Sequence, residues 1–218
     1  MENNIEENIN DYDFDIMELV KAGWERINGV KGQFFIAFAI YVVVSIAFQL
    51  ILGIFLPQGV MINQLIVTIL SYPVLVPIIT GIMMMAINHS RGETVNFKSI
   101  FNHYHLTGVL SLASILLYVA TVIGFVLLII PAIYLSVAYA FVLPLIADKN
   151  MGAWEAMEYS RKTVTKRWFK VAGLMGLLSI AMGISIIPLG VGLVWTVPLM
   201  FVTLYGLAYP ILFDGAEA

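Results

Sequence analysis

The chain alternates long apolar runs with short stretches that hold nearly all of its charges. A helix needs about 20 apolar residues to cross the hydrocarbon core of a bilayer. The first two runs, 33–56 and 62–87, have that length, and the residues between them have a turn-like composition. The next two, 108–147 and 168–213, are about twice what one span needs. Each of these has Gly and Pro residues near its middle.

We divide each long run into two helices at its Gly and Pro residues, which favour turns. The pattern then predicts an all-α integral membrane protein with six transmembrane helices arranged as three hairpins. The predicted spans are 33–56, 62–87, 108–125, 130–147, 168–187 and 193–213. Residues 15–213 form a single transmembrane domain in this interpretation. Residues 1–14, rich in acids and without Lys or Arg, form a disordered tail.

Composition supports a membrane protein. Hydrophobic residues make up 61% of the 218 and charged residues only 11%, whereas soluble domains have roughly 45–50% and about 25%. A soluble globule of this size cannot bury so much apolar surface. This excludes a soluble enzyme, and disorder for the bulk of the chain. With no cysteine there is no disulfide, thiolate nucleophile or Cys-ligated metal.

The distribution of positive charge predicts the orientation. All 11 Lys and Arg residues lie in three stretches: before the first span, between the second and third, and around the connection from the fourth to the fifth. The turns on the other side carry no charge. Cytoplasmic loops of membrane proteins are enriched in Lys and Arg. We therefore predict a multi-pass protein of the cell (inner) membrane with both termini cytoplasmic.

Each charged stretch has helical features. Asp15 and Glu18 have capping-box spacing before an apolar face. The stretch 97–105 is a shorter version, and 150–168 places Ala153, Met157, Ser160, Val164 and Trp168 on one weakly apolar face. These patterns predict a cytoplasmic interfacial amphipathic helix before each hairpin.

A set of spaced residues resembles a known family. The set comprises Ile130, Pro131, Tyr134, Leu135, Pro144, Asp148, Ala156, Ser160, Arg161, Gly192, Pro198 and Tyr205. It resembles uncharacterised bacterial six-span membrane proteins, related to the membrane domain fused to some glycerophosphodiester phosphodiesterases. The resemblance covers roughly 24–213 and implies a cell-membrane protein with six spans, without catalytic residues to carry over. The chain departs from it with Ala132, where Gly is usual, and has no phosphodiesterase domain.

The densest basic cluster comes before the fifth span. It consists of Arg161, Lys162, Lys166 and Arg167. Such clusters beside a span attract anionic headgroups, so these four residues are the candidate lipid- or phosphate-binding site. The same charges could instead serve only to set the topology. Both interpretations stay open at this point.

No catalytic constellation is evident, and we expect a protein that is not an enzyme. Asp148, Glu155 and Glu158 are followed by basic residues at spacings typical of ordinary surface pairs. We expect no metal or cofactor, because His103 and His105 lack an adjacent carboxylate or cysteine. The small residues that suit close helix–helix contact are Gly108, Ser111, Ser114, Gly173, Gly176 and Gly183.

The favoured function is a non-catalytic membrane protein that interacts with lipid, or acts as a scaffold, at the cytoplasmic leaflet. The alternative is a transporter or permease-like component for a small or lipid-like solute, in which Pro73 and Pro77 help to line a pocket with Tyr72 and Thr80. Membrane phospholipids, anionic ones among them, are the expected partners. A homo-oligomer or a membrane complex is compatible with the sequence, and nucleic acid is not expected.

Overall fold

The computed structural model describes residues 13–56, 60–127, 129–187 and 189–215, which are helical and contain no β-strand. The helices, in chain order, are α1 (Ile16–Arg26), α2 (Lys31–Phe55), α3 (Met61–Ser90), α4 (Thr107–Leu127), α5 (Ile129–Ala138), α6 (Val142–Lys149), α7 (Ala153–Lys166), α8 (Trp168–Ile186), α9 (Leu193–Phe201) and α10 (Tyr209–Phe213). Two short 3-10 helices, Phe97–Phe101 and Tyr104–Leu106, precede α4. A π-helical segment, Val202–Ala208, joins α9 to α10.

Six segments of the described chain are long and apolar enough to cross a membrane, which confirms the predicted number. They are Lys31–Phe55, Ile62–Ser90, Phe97–Val126, Ile129–Lys149, Trp168–Ile186 and Leu193–Phe213. The sixth segment is the centre of the fold: 83% of its 18-residue apolar window is buried, against 6% for the first segment. Residues 1–12 of the predicted tail lie outside the described residues, whereas Phe14 is buried.

The fourth apolar segment is interrupted between α5 and α6, at residues 139–141. Pro144 has no N–H to donate to the carbonyl four residues earlier, and its ring crowds that carbonyl. At the break, the Ser160 hydroxyl donates to the Ala138 carbonyl oxygen at 2.7 Å. This buried hydrogen bond satisfies an acceptor that the end of α5 leaves without an intrahelical donor. The span predicted over 130–147 is therefore built from two helices.

The charged stretches adopt different structures. Helix α1 begins as predicted, because the Asp15 carboxylate accepts hydrogen bonds from the amides of Met17 and Glu18 at 2.8 and 3.0 Å. Residues 97–106 instead form the two 3-10 helices, where Asn96 accepts a hydrogen bond from the Lys98 amide at 2.9 Å.

Helix α7 has the apolar face that the sequence predicted. Ala153, Met157, Ser160 and Val164 on this face are buried, and the helix packs against α4, α5 and α6. Protein therefore covers the face that was expected to lie on lipid. Placement of this helix on the membrane surface stays a prediction.

Candidate functional site

Two of the four candidate basic residues bind one carboxylate on the same helix. The Arg161 guanidinium donates to both carboxylate oxygens of Glu158, at 2.9 and 2.8 Å, and the Lys162 ammonium lies 3.6 Å from one of them. The hydrogen bond from Arg161 holds the pKa of the Glu158 carboxyl below its ordinary value. Glu158 therefore stays ionised and offsets one positive charge of the cluster.

The other two basic residues lie at the end of α7. Lys166 is exposed and is the last residue of the helix, and Arg167 is half-buried at the turn into α8. The four candidate residues span less than two helical turns, since a turn takes about 3.6 residues. All four residues thus lie at the C-terminal end of α7 and the turn that follows it, and their role as a lipid site stays a prediction.

A wide groove of about 600 Å³ opens beside this end of α7. Its lining residues come from α5, α7 and α8: Ile130, Ile133, Tyr134, Thr165, Trp168 and Phe169. Ile130 is 76% exposed and Phe169 is 85% exposed, so the apolar walls of the groove face outward. Apolar side chains exposed beside a span are suited to contact with an acyl chain.

Tyr134 connects the groove with the basic cluster. Its hydroxyl is 2.7 Å from the Thr165 hydroxyl, and its carbonyl accepts a hydrogen bond from the Trp168 indole at 3.3 Å. Hydrogen bonds with Glu158 and, as a smaller contribution, with Tyr134 raise the pKa of the Arg161 guanidinium. Arg161 therefore borders the polar end of a groove whose walls are otherwise mostly apolar.

Sequence analysis did not find this groove. Ile130 and Tyr134 belonged to the family resemblance but carried no role there. One signal was present: Ile130, Ile133 and Tyr134 have i, i+3, i+4 spacing, which places them on one face of a helix. The face contributed by Trp168 and Phe169, more than 30 residues later, could not be joined to it without the fold.

A second polar cluster joins the ends of α3, α6 and α10, and we name it the helix-end cluster. The Arg91 guanidinium donates to both oxygens of Asp148, at 2.5 and 2.8 Å, and to Asp214 at 2.9 Å. The Tyr209 hydroxyl donates to Asp148 at 2.9 Å, and the Lys149 ammonium donates to Asp214 at 2.8 Å. Five side chains thus form one continuous network.

The helix-end cluster has a structural role. The hydrogen bonds to Asp148 raise the pKa of the Arg91 guanidinium, which stays charged. The Asp148 side chain is only 10% exposed, and its partners are 57 and 61 residues away. The expectation of an ordinary surface pair is wrong for Asp148, and it is confirmed for Glu158.

No group of three His, Asp or Glu side chains in the described ranges is placed to hold a metal ion. No family model, curated protein or solved structure matches this chain. The class of protein therefore follows from the fold itself. Six long apolar helices, with no β-strand in the described part, define a helical multi-pass membrane protein.

Proposed function

We propose that this protein is a non-catalytic membrane protein that binds anionic phospholipid at the cytoplasmic leaflet. The observation that carries the proposal is the groove, whose polar end at Tyr134 and Thr165 adjoins Arg161, because the Thr165 hydroxyl donates to the Arg161 carbonyl oxygen at 2.6 Å. A phospholipid has the same arrangement, with a charged phosphate next to an apolar chain. The phosphate would lie towards the end of α7 and the chain along the groove.

Charge supplies most of the selectivity in this arrangement. An acyl chain that leaves the bilayer for the groove gains little, because lipid tails are as apolar as the side chains that replace them. Each Lys or Arg near an anionic leaflet contributes about 1 kcal/mol. The four basic residues would give up to about 4 kcal/mol, less the repulsion from Glu158 and Glu155.

We further propose that the six segments form three hairpins in the cell (inner) membrane, with both termini cytoplasmic. Arg91, Asp148 and Asp214 lie together, and they occur at the ends of the second, fourth and sixth segments. This supports the return of each hairpin to one side. Positive charge near those ends supports the assignment of that side to the cytoplasm.

Two contacts show where this topology should be tested hardest. The Tyr134 hydroxyl is 2.7 Å from that of Thr165, although the six-span arrangement starts the fourth segment on the outer side and places the end of α7 on the cytoplasmic side. The Lys31 ammonium lies 5.8 Å from the centre of the Trp195 ring, although the sequence assigns the two residues to opposite sides of the membrane. The long lysine side chain accounts for part of the separation. The turns before α5 and α9 are therefore the decisive positions for labelling.

Single cysteines in this cysteine-free chain are expected to label from one side only. Phe125→Cys and Leu189→Cys, at positions 59% and 99% exposed, should react with a membrane-impermeant maleimide from outside intact cells. Glu93→Cys and Gly152→Cys should react only after the cells are opened. Labelling of Leu189→Cys from inside alone would show that the last two helices do not cross, and would contradict six full spans.

The basic cluster predicts which lipids are retained on purification. Lys162→Gln with Lys166→Gln removes two positive charges that together contribute up to about 2 kcal/mol to the binding of an anionic lipid. The variant should therefore retain about tenfold to thirtyfold less phosphatidylglycerol than the wild type. Native mass spectrometry of gently extracted protein measures the retained lipid. Added salt should lower retention in the wild type, because it screens exposed charges.

A matched control is the variant Lys21→Gln with Lys98→Gln, which removes two exposed positive charges from other predicted cytoplasmic stretches. It should keep the wild-type lipids. Glu158→Gln should raise retention, because it removes the carboxylate that offsets Arg161. If both double variants lose the same amount of phosphatidylglycerol, the basic cluster serves only to set the topology and the lipid-binding proposal is wrong.

A further inference from the structure

A second cleft, of about 340 Å³, lies between α2 and α3 inside the first two apolar segments. Seven of the residues that line it have polar side chains: Tyr41, Ser45, Gln49, Gln64, Thr68, Ser71 and Tyr72. The rest of the lining is aliphatic, and no charged residue contributes to it among the described residues. Seven polar side chains on one cleft are unusual where the surrounding solvent is hydrocarbon.

Several of these groups are already satisfied within their own helix. The hydroxyls of Thr68 and Ser71 donate to backbone carbonyls one turn earlier, at 2.9 and 2.6 Å. The Gln49 amide donates to the Ser45 hydroxyl at 3.2 Å. These bonds lower the cost of placing the residues in a membrane. They leave the oxygens of Gln49 and Thr68 able to accept further hydrogen bonds.

Two groups keep their donors free. The side chains of Tyr41 and Tyr72 line the cleft, and no hydrogen bond of either phenol hydroxyl is found within the described ranges. Each phenol can donate one hydrogen bond and accept another. The cleft therefore offers donors and acceptors together, without a charge to attract an ion or a phosphate.

The position of the cleft limits what can enter it. Tyr41 and Gln49 lie 10 and 18 residues beyond the start of α2, which is about 15 and 27 Å along a helix. Ile46, Ile69 and Leu70 beside the cleft are 54%, 44% and 47% exposed. In the six-span arrangement these side chains face lipid, so a ligand would enter from the bilayer.

We propose that the cleft between α2 and α3 binds an uncharged lipid that carries a free hydroxyl group, the class to which diacylglycerols belong. The lipid hydroxyl can donate to the oxygen of Gln49, and the phenols of Tyr41 and Tyr72, farther along the cleft, can donate to the ester carbonyls. A phospholipid headgroup would bring its charge into a cleft that has none to pair with it, at a high cost. The cleft involves residues other than those of the α7 groove, and this second site goes beyond the function proposed above.

The test is a native mass spectrometry titration of the full chain in detergent with 1,2-dioctanoylglycerol. The wild type is expected to bind one molecule. Tyr41→Phe with Tyr72→Phe removes only two hydroxyls and should weaken binding about eightfold, because two hydrogen bonds made inside a membrane are lost. Gln49→Leu is a second, independent variant, and it should also weaken binding.

The variants of the two sites serve as reciprocal controls. Lys162→Gln with Lys166→Gln should leave dioctanoylglycerol binding unchanged and lose phosphatidylglycerol, and the Tyr41, Tyr72 double variant should do the reverse. Equal binding of dioctanoylglycerol to wild type and to the tyrosine variant would overturn the proposal. Equally tight binding of dioctanoylphosphatidylcholine at the cleft would do so too, because it would show a site that accepts any acyl chain. A wild-type dimer that the tyrosine variant dissociates would assign the cleft to a second copy of the chain instead.

Discussion

Replacement of Gly81 with Ala is expected to destabilise this protein more than the same replacement at any other described glycine. Gly81 is on α3, and a Cβ there would lie 2.5 Å from the Cα of Ile100 and 2.7 Å from its carbonyl carbon. These are backbone atoms of a buried residue, so no side-chain rotation can relieve the clash. Overpacking of this kind lowers the free energy of unfolding by about 3 kcal/mol.

We expect the Gly81→Ala midpoint of thermal unfolding in detergent to fall by about 10 °C, given that 1 kcal/mol corresponds to roughly 2–4 °C at this chain length. Gly176→Ala is the matched control. No described atom lies within 4 Å of the Cβ it would add, and Ala is favoured over Gly in a helix by about 1 kcal/mol. Equal midpoints for the two variants would show that α3 and the 3-10 segment do not pack as described.

Asp148→Ala is expected to have the second largest effect, through the helix-end cluster. Asp148 accepts two hydrogen bonds from Arg91 and one from Tyr209, and its side chain is 10% exposed. Its removal leaves a charged donor with Asp214 as its remaining carboxylate partner, and a phenol with none. Removing one partner of a fully buried ion pair costs about 3 kcal/mol or more, and the loss here should be somewhat smaller because the Arg91 side chain is 38% exposed.

The exposed pair on α7 provides the comparison for Asp148. Glu158→Gln breaks the hydrogen-bonded pair with Arg161, whose side chains are 35% and 37% exposed, and should cost no more than about 1 kcal/mol. In an Arg91→Met background, Asp148→Ala should cost much less than in the wild type. Unfolding midpoints in detergent measure both differences. If Asp148→Ala lowers the unfolding midpoint no more than Glu158→Gln does, the helix-end cluster does not stabilise the fold.

The six spans and the start of α1 could be predicted because they depend on local properties of the chain. Apolar length determines a span, and Asp15 caps a helix that begins one residue later. The basic cluster at the end of α7 could also be picked out locally, since its four residues lie within seven positions, but its role in lipid binding stays a prediction. The family resemblance, the three hairpins and the cytoplasmic termini stay predictions.

Features that depend on distant partners could not be predicted. Arg91 finds Asp148 and Asp214 at separations of 57 and 123 residues, and nothing in the local pattern pairs them. Close packing shows the same limit. Of the glycines expected at helix contacts, Gly173 approaches Ile16, whose Cδ1 would lie 3.0 Å from an added Cβ, whereas open space surrounds Gly108, Gly176 and Gly183. The tightest backbone approach is at Gly81. A glycine permits another backbone segment to approach closely, but the fold determines at which glycine this occurs.

The measurement that tests the lipid-binding account most directly is photo-cross-linking with a phosphatidylglycerol whose acyl chain carries a diazirine, in nanodiscs that contain the wild-type protein. The account predicts that cross-links concentrate on residues 130–134 and 168–169, and that Lys162→Gln with Lys166→Gln removes them. Cross-links distributed evenly over exposed apolar positions such as Val43 and Ile54 of α2, unchanged in the variant, would contradict it.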